Sequence, residues 1–440
     1  ILKALEEVKK DFKEEKIKIQ EGFEDIHEFL ESKIIDKIGI EAGGKIHTAR
    51  SRNDQVTLDI RMKTRSLIND VSNNLLKLIE ALINRALKEF NTPIILYTHM
   101  QQAQLSLFSH YLMAYAEVFF RDFERLSECY KRVNLNPLGA CAIAGTRFPI
   151  NRLRTTKLLG FDELIENSID ASSFRDYEAE AIATLSILML NLARFSEDLI
   201  LWSSTEFRFI ELADEHASSS SVMPQKKNPC VLELIRGRIG EVFGALTSLL
   251  IILKGIPSGY NRDLQETKKF LWTSFKTVNA SIKILTSIIK ALIINKARIE
   301  EAIDEGYLMA IELAEELTLK KGLSFREAHK LVGELVKKLI HENKKLKEVS
   351  SSLIEELSKK VLGKNLKVTQ KELESVFDFK KAFLEKRSIG SPSPKEIEKA
   401  ILKMQEKLKE CSVQLLNRIN KINDALEKLQ QLINNYINDC

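Results

Sequence analysis

The chain has 440 residues, more than one small core needs, and its net charge of +5 is too small and too evenly interleaved for a nucleic-acid binder. Its five cysteines (Cys129, Cys141, Cys230, Cys411 and Cys440) form no CxxC pair and its histidines no HExxH. That argues against a disulfide framework or a zinc site and fits a reducing, cytoplasmic setting.

Gly and Pro are scarce, and no Pro occurs between Pro257 and Pro392, which favours long helices. The first forty residues read as short amphipathic helices, with Leu2, Leu5, Val8 and Phe12 at helical spacing. Gly43 and Gly44 break that pattern. A long helix is expected from Ser51 to Phe90, with Ile60, Leu67, Val71, Leu75, Leu78 and Leu82 on one stripe. After Pro93, a second is expected from Gln101 to Val133, and residues 138–154 read as loop. Residues 174–207 are helical and apolar on several sides, as at the centre of a bundle. No apolar run is read as long enough to span a bilayer. Two further helices are expected over 231–253 and 264–294. Five long helices in succession predict an all-α fold built on a helical bundle. The expected division is 1–50, 51–296, a smaller helical domain over 297–390, and an extension over 391–440. That extension carries a three–four apolar repeat from Ile401 to Tyr436 with one long step at 411–415–419. It suits either a helix docked on its own subunit or a coil between subunits.

Four segments could carry chemistry. Residues 217–229, ASSSSVMPQKKNP, join four serines to Lys226, Lys227 and Asn228, with Pro229 at a helix start. A hydroxyl-rich loop beside cations suits a carboxylate, although composition alone favours a plain linker. Residues 43–56, GGKIHTARSRNDQV, pack Ser51, Arg52, Asn53 and Asp54 among other polar groups, the usual means of holding carboxylates. Gly39, Gly44 and Lys45 approach a P-loop, but Ile46 follows and no buried strand precedes, so nucleotide binding is rejected. Thr98 and His99 lie at the expected mouth of the second long helix, where a His suits acid–base work. Tyr260, Gln265 and Lys268 fall near helical spacing and could face one pocket.

Together with EDIH at 24–27 and SIDASSFRD at 168–176, these segments resemble the fumarase/aspartase superfamily, specifically the argininosuccinate lyase family, over residues 20–390. The resemblance implies three helical domains around a central five-helix bundle, and a homotetramer with a twenty-helix core whose active sites are shared between subunits. It implies cleavage of argininosuccinate to arginine and fumarate by β-elimination, without metal or organic cofactor. Ser220 matches the base, His99 a second acid–base group, and Glu233 the carboxylate paired with it. Lys226 and Asn228 match the positions that hold the succinyl carboxylates, assisted by Asn53 and Thr98. Tyr260, Gln265 and Lys268 match the contacts to the arginine portion, with Arg52 and Ser51 as further substrate-binding candidates. Three departures stand out. Ser219 occupies the signature loop's usual Gly, Leu105 replaces a usual Pro, and the family segment preceding EDIH is expected to be missing. The alternatives are a sister fumarate-releasing lyase of adenylosuccinate or aspartate type, or a retired, crystallin-like structural protein.

Overall fold

A computed structural model describes residues 1–19 and 21–439; Cys440 lies outside the described residues. Helices α1 (Leu2–Lys13) and α2 (Ile26–Ile38) open the chain. The bundle consists of α3 (Arg52–Lys88), α4 (Phe108–Val133), α5 (Asp176–Ser203), the broken pair α6 (Cys230–Gly237) and α7 (Ile239–Leu253), and α8 (Thr267–Ala291). Shorter helices follow, among them α9 (Ala310–Lys321), α10 (Phe325–His341) and α11 (Ser351–Leu362), and α12 (Pro394–Asn438) ends the chain.

The spine is α3, whose 37 residues span about 55 Å. Its expected stripe faces the core: Ile60, Val71, Leu75, Leu78 and Leu82 are buried. Three buried arginines on α3 also satisfy the carbonyls where its neighbours end. Arg61 donates to Arg132 O and Val133 O at the end of α4, and Arg65 to Asn134 Oδ1 and Leu159 O. Arg85 donates to Ile289 O, Lys290 O and Leu292 O at the end of α8. A guanidinium at a helix C-terminus meets both the orphan acceptors and the negative end of the dipole.

Two expectations need correction. The segment before α4 is a β-hairpin, not helix: β1 (Pro93–Thr98) pairs antiparallel with β2 (Gln101–Leu107), and the helix starts only at Phe108. Ile94, Ile95, Tyr97 and Thr98 have the β-branched and aromatic character that favours strands. The second correction concerns membrane-length runs. By length and composition α5 does qualify, but 61% of its apolar stretch is buried inside the fold, as expected for a bundle core helix. Ile187 and Leu190 remain exposed on its outer face.

Helix α12 docks on its own subunit, one of the two arrangements its repeat allows. Ser393 caps it and Pro394 occupies its first turn. Ile401, Met404, Cys411 and Leu415 are buried, the last two spanning the long step. Further along, Ala425 is buried in place of Leu426, and Tyr436 is exposed. Lys407 pairs with Glu124 at 2.6 Å, and the Arg418 guanidinium lies 4.4 Å from the Tyr130 ring centroid. Gly160, at φ +69°, approaches the α12 backbone so closely that a Cβ would stand 3.0 Å from Ile422 Cα.

Asp122 on α4 is fully enclosed, accepting from Asn191 Nδ2 and pairing with Arg125, each at 2.8 Å. Burial outweighs those partners and pushes its carboxyl up to about 6. The folded state then binds the proton more tightly than the unfolded state, so this group's contribution to stability falls as pH rises from about 4 to about 6. Asp122→Asn should be more stable than the wild type, by a margin that grows by about 2 kcal/mol between roughly pH 4.5 and 7.5. Unfolding midpoints at those two pH values check this, and a pH-independent difference would contradict it.

Candidate active site

Helix α3 begins at a reciprocal cap. Ser51 Oγ accepts from Asn53 N at 3.3 Å, and Asp54 Oδ1 accepts from Ser51 N at 3.2 Å. This fixes Arg52 and Asn53 on the first turn. They line one wall of a cleft of about 470 Å³, together with Val56, Asp59, Ile60 and Lys63 from the same helix face. The residues at 24–27 form its rim, and Tyr260, Gln265, Lys268 and Trp272 form the opposite wall. Tyr260, Gln265 and Lys268 do converge, but not from a single helix. Tyr260 lies in a loop, Gln265 ends the short 3-10 turn Arg262–Gln265, and Lys268 stands in the first turn of α8. Gln265 Nε2 donates to Tyr260 Oη at 2.9 Å, which leaves the phenolic proton available to an acceptor in the cleft.

The charges of the cleft are unequally committed. Arg52 is held by Asp25 at 3.1 Å and Glu31 at 3.7 Å, so its guanidinium serves the wall. His27 meets Asp59 at 3.1 Å, and Arg262 meets Glu24 at 2.6 Å. Lys63 and Lys268 form no ion pair among the described residues, so both ammonium groups can receive a carboxylate. Asn53 Nδ2 donates to Ala142 O at 3.0 Å, leaving its own carbonyl oxygen uncommitted. Sequence reasoning missed Asp59, Lys63 and Trp272. Their signal is helical spacing: 52, 56, 59 and 63 share one face of α3, and 268 and 272 one face of α8.

The other candidates lie elsewhere on the protomer. Among the described residues, none of Ser51, Thr98, His99, Ser220, Lys226, Asn228 and Glu233 lines that cleft. His99 and Met100 form the two-residue tip of the β1–β2 hairpin, at φ +53° and +59°. Both central residues of such a turn need positive φ, which Asn-Gly meets more readily than His-Met. Thr98, His99 and Met100 are exposed. Glu233 is exposed on α6 and makes no ion pair with His99 within the protomer, among the described residues.

The serine-rich segment is a hairpin. β3 (Ser218–Ser219) pairs with β4 (Lys227–Asn228), and Ser220 N donates to Lys226 O at 3.3 Å. Ser220 Oγ sits at the turn and accepts from Val222 N at 3.2 Å and Met223 N at 3.0 Å. Two N–H donors on one hydroxyl oxygen stabilise its anionic form. Ser219 is strand-paired and does not take positive φ, so a serine is accommodated here without backbone strain. Lys226 is exposed and half-buried Asn228 follows in β4, just before the N-terminus of α6. Lys227 reaches back to Asp214 at 2.6 Å and Glu211 at 2.9 Å, and those hydrogen bonds raise its pKa above the usual lysine value.

Family profiles meet this geometry in two places. One described as Lyase matches residues 1–244, and one described as Argininosuccinate lyase C-terminal matches residues 307–383. The chain is 44% identical over 438 residues to the argininosuccinate lyase of Nitrosopumilus maritimus (strain SCM1), covering 99% of this chain and 89% of that protein. The chain belongs to the argininosuccinate lyase family. It is also 41% identical to the argininosuccinate lyase of Methanocaldococcus jannaschii over 97% of this chain and 87% of that one. Among solved structures, EDDS lyase in complex with formate superposes with a TM-score of 0.90 at 28% identity, covering 100% of this chain and 86% of that chain. A class II fumarase from Schistosoma mansoni, at 16% identity and TM-score 0.68 over 82% of this chain and 78% of that one, shares the fold. Argininosuccinate lyase family membership makes the chain a lyase and agrees with its all-helical bundle.

The Lys227 ion pairs tie the signature hairpin to residues 211–214, and exposed ion pairs weaken in salt. Lys227→Met should speed amide hydrogen exchange over residues 218–228 by about threefold, and roughly 1 M salt should do the same to the wild type. Exchange unchanged in both cases would show that backbone pairing alone holds the hairpin.

Proposed function

We propose that this chain cleaves argininosuccinate reversibly to L-arginine and fumarate in arginine biosynthesis, as a cytosolic homotetramer. The observation that carries this reading is the cleft. Tyr260, Gln265 and Lys268 face Arg52 and Asn53 across a space that takes an amino-acid-sized group, with two uncommitted ammonium groups for carboxylates. Half-exposed free thiols at Cys141 and Cys230 fit a reducing compartment.

The chemistry is an elimination. Ser220 removes the proton from the carbon next to a succinyl carboxylate, and the electron pair moves onto that carboxylate. The pair then returns to form the double bond of fumarate as the carbon–nitrogen bond breaks, and the guanidino nitrogen leaves with a proton from an acid. The two N–H donors to Ser220 Oγ support its role as base, because they favour the alkoxide. Lys226 and Asn228 bind the succinyl carboxylates, with Asn53 and Thr98 assisting, and neutralise the charge that builds there. His99, paired with Glu233, moves the second proton. Tyr260, Gln265 and Lys268 hold the arginine portion.

Within one protomer the Ser220 hairpin and the His99 tip lie outside the cleft, so the complete site draws on neighbouring copies. Phe243, Leu250 and Ile251 on α7 and Ile187 and Leu190 on α5 are exposed apolar groups on bundle helices. Packing bundles together would bury them, which supports the tetramer.

Incubation with argininosuccinate, followed by ultraviolet absorbance, should release fumarate and arginine in equal amounts. Ser220→Ala should lower turnover at least about a thousandfold without changing the oligomer. Absence of release by the wild type would reject the function, and near-normal turnover by the variant would remove Ser220 as the base.

A further inference from the structure

The two walls of the cleft come from distant parts of the chain, and a line of largely buried hydrogen bonds, closed by the Ser172–Ser173 peptide link, joins them. It starts at Asp54, which is fully buried and whose Oδ2 accepts from Gly139 N at 2.9 Å and Cys141 N at 2.8 Å. Its Oδ1 takes Ser51 N, so one carboxylate ties the start of α3 to the 139–141 loop. The Cys141 carbonyl accepts from Ser172 Oγ at 3.1 Å, and the next residue, Ser173, accepts Gly259 N on its own Oγ at 2.9 Å. Gly259 immediately precedes Tyr260.

The line is built rather than incidental. Ser172 and Ser173 are both buried, on a short helix (Ser168–Ser173) capped by Asn167. The buried Arg175 donates to Ser172 O and Phe174 O at the end of that helix. Ala140, Ile165 and Ala171 pack as a dry cluster beside it. Gly139 and Gly259, the two glycines whose N–H groups join the line, sit at φ +89° and +115°, where a side chain is strained.

We infer that Asp54 and Ser173 are positioning residues that set the separation of the two cleft walls, and that Ser173 in particular determines the affinity for the amino-acid half of the substrate. This rests on the proposed function for the identity of that half. Ser173 acts on Tyr260 through Gly259 and, among the described residues, its side chain makes no hydrogen bond to the Arg52–Asn53 wall. Asp54 acts on Ser51 and Asn53 as well as on the loop. The two residues therefore have different signatures. Removing the Ser173 hydroxyl leaves the Gly259 N–H buried without a partner and releases the Tyr260 side alone. An amide at 54 presents a donor to one of its N–H partners, because all three groups it faces are donors.

The test is calorimetric titration of arginine and of fumarate, separately, into the wild type, Ser173→Ala and Asp54→Asn, each with its oligomeric state checked. Ser173→Ala should raise the Kd for arginine about three- to tenfold and leave that for fumarate within about twofold. Asp54→Asn should raise both. A general loss of folded protein would lower the number of binding sites without moving either Kd, so a merely structural role is distinguishable. Equal arginine Kd values in Ser173→Ala and wild type, or equal losses for both ligands, would overturn the inference. If Ser173→Ala does not fold, Asp54→Asn decides, and unchanged Kd values there overturn it. Failure of the wild type to bind arginine at all would overturn the proposed function together with this inference.

Discussion

One buried carboxylate carries much of the organisation around the cleft. Asp54 is dehydrated, which pushes its pKa up, and three backbone N–H groups pull it back toward the ionised form. The result is a fixed point where the N-terminus of a 37-residue helix meets a loop from a distant part of the chain. A carboxylate there also complements the positive end of the helix dipole. Everything on the first turn of α3, including Arg52 and Asn53, takes its position from that point.

The same helix fixes the rest of the bundle by a similar device of opposite sign. Arg61 and Arg85 lie along α3 and end on carbonyls at the C-termini of α4 and α8, and Arg65 between them reaches Asn134 Oδ1 and the Leu159 carbonyl. A buried guanidinium is expensive to dehydrate, and burial lowers the pKa of all three. They persist because each finds several acceptors that would otherwise be orphans. The long helix is thus a ruler with charged groups at set heights, and its neighbours are registered against it.

Much of this was legible in the sequence, because helical periodicity and local motifs are local properties. The stripe from Ile60 to Leu82, the helix start near Ser51 and the stop before Pro93 follow from spacing and side-chain chemistry. So does the long step in α12, whose Cys411 and Leu415 are buried on the same seam. The β1–β2 hairpin was not legible, because QQAQ reads as helix by propensity and only pairing with the Ile94–Thr98 strand overrides it. The site was legible as a set of residue types, since serines, lysines and amides announce carboxylate binding. Its assembly was not. That Gln265 holds the Tyr260 hydroxyl is a contact within an irregular loop and turn that carries no periodic signal, and that Arg52 is spent on Asp25 and that Asp59 and Lys63 face the Tyr260 wall depend on tertiary contacts between separate segments.

The central claim is that the cleft of one protomer is completed by the Ser220 hairpin of another. It is tested most directly by mixing two variants, Ser220→Ala and Lys268→Ala, each crippled alone, after dissociation and reassembly. Random mixing in equal amounts should restore about a quarter of the wild-type activity, because some sites then receive an intact hairpin and an intact cleft from different chains. No recovery from a reassembled oligomer would contradict the account, because it would mean that Ser220 and Lys268 serve the same site from a single chain.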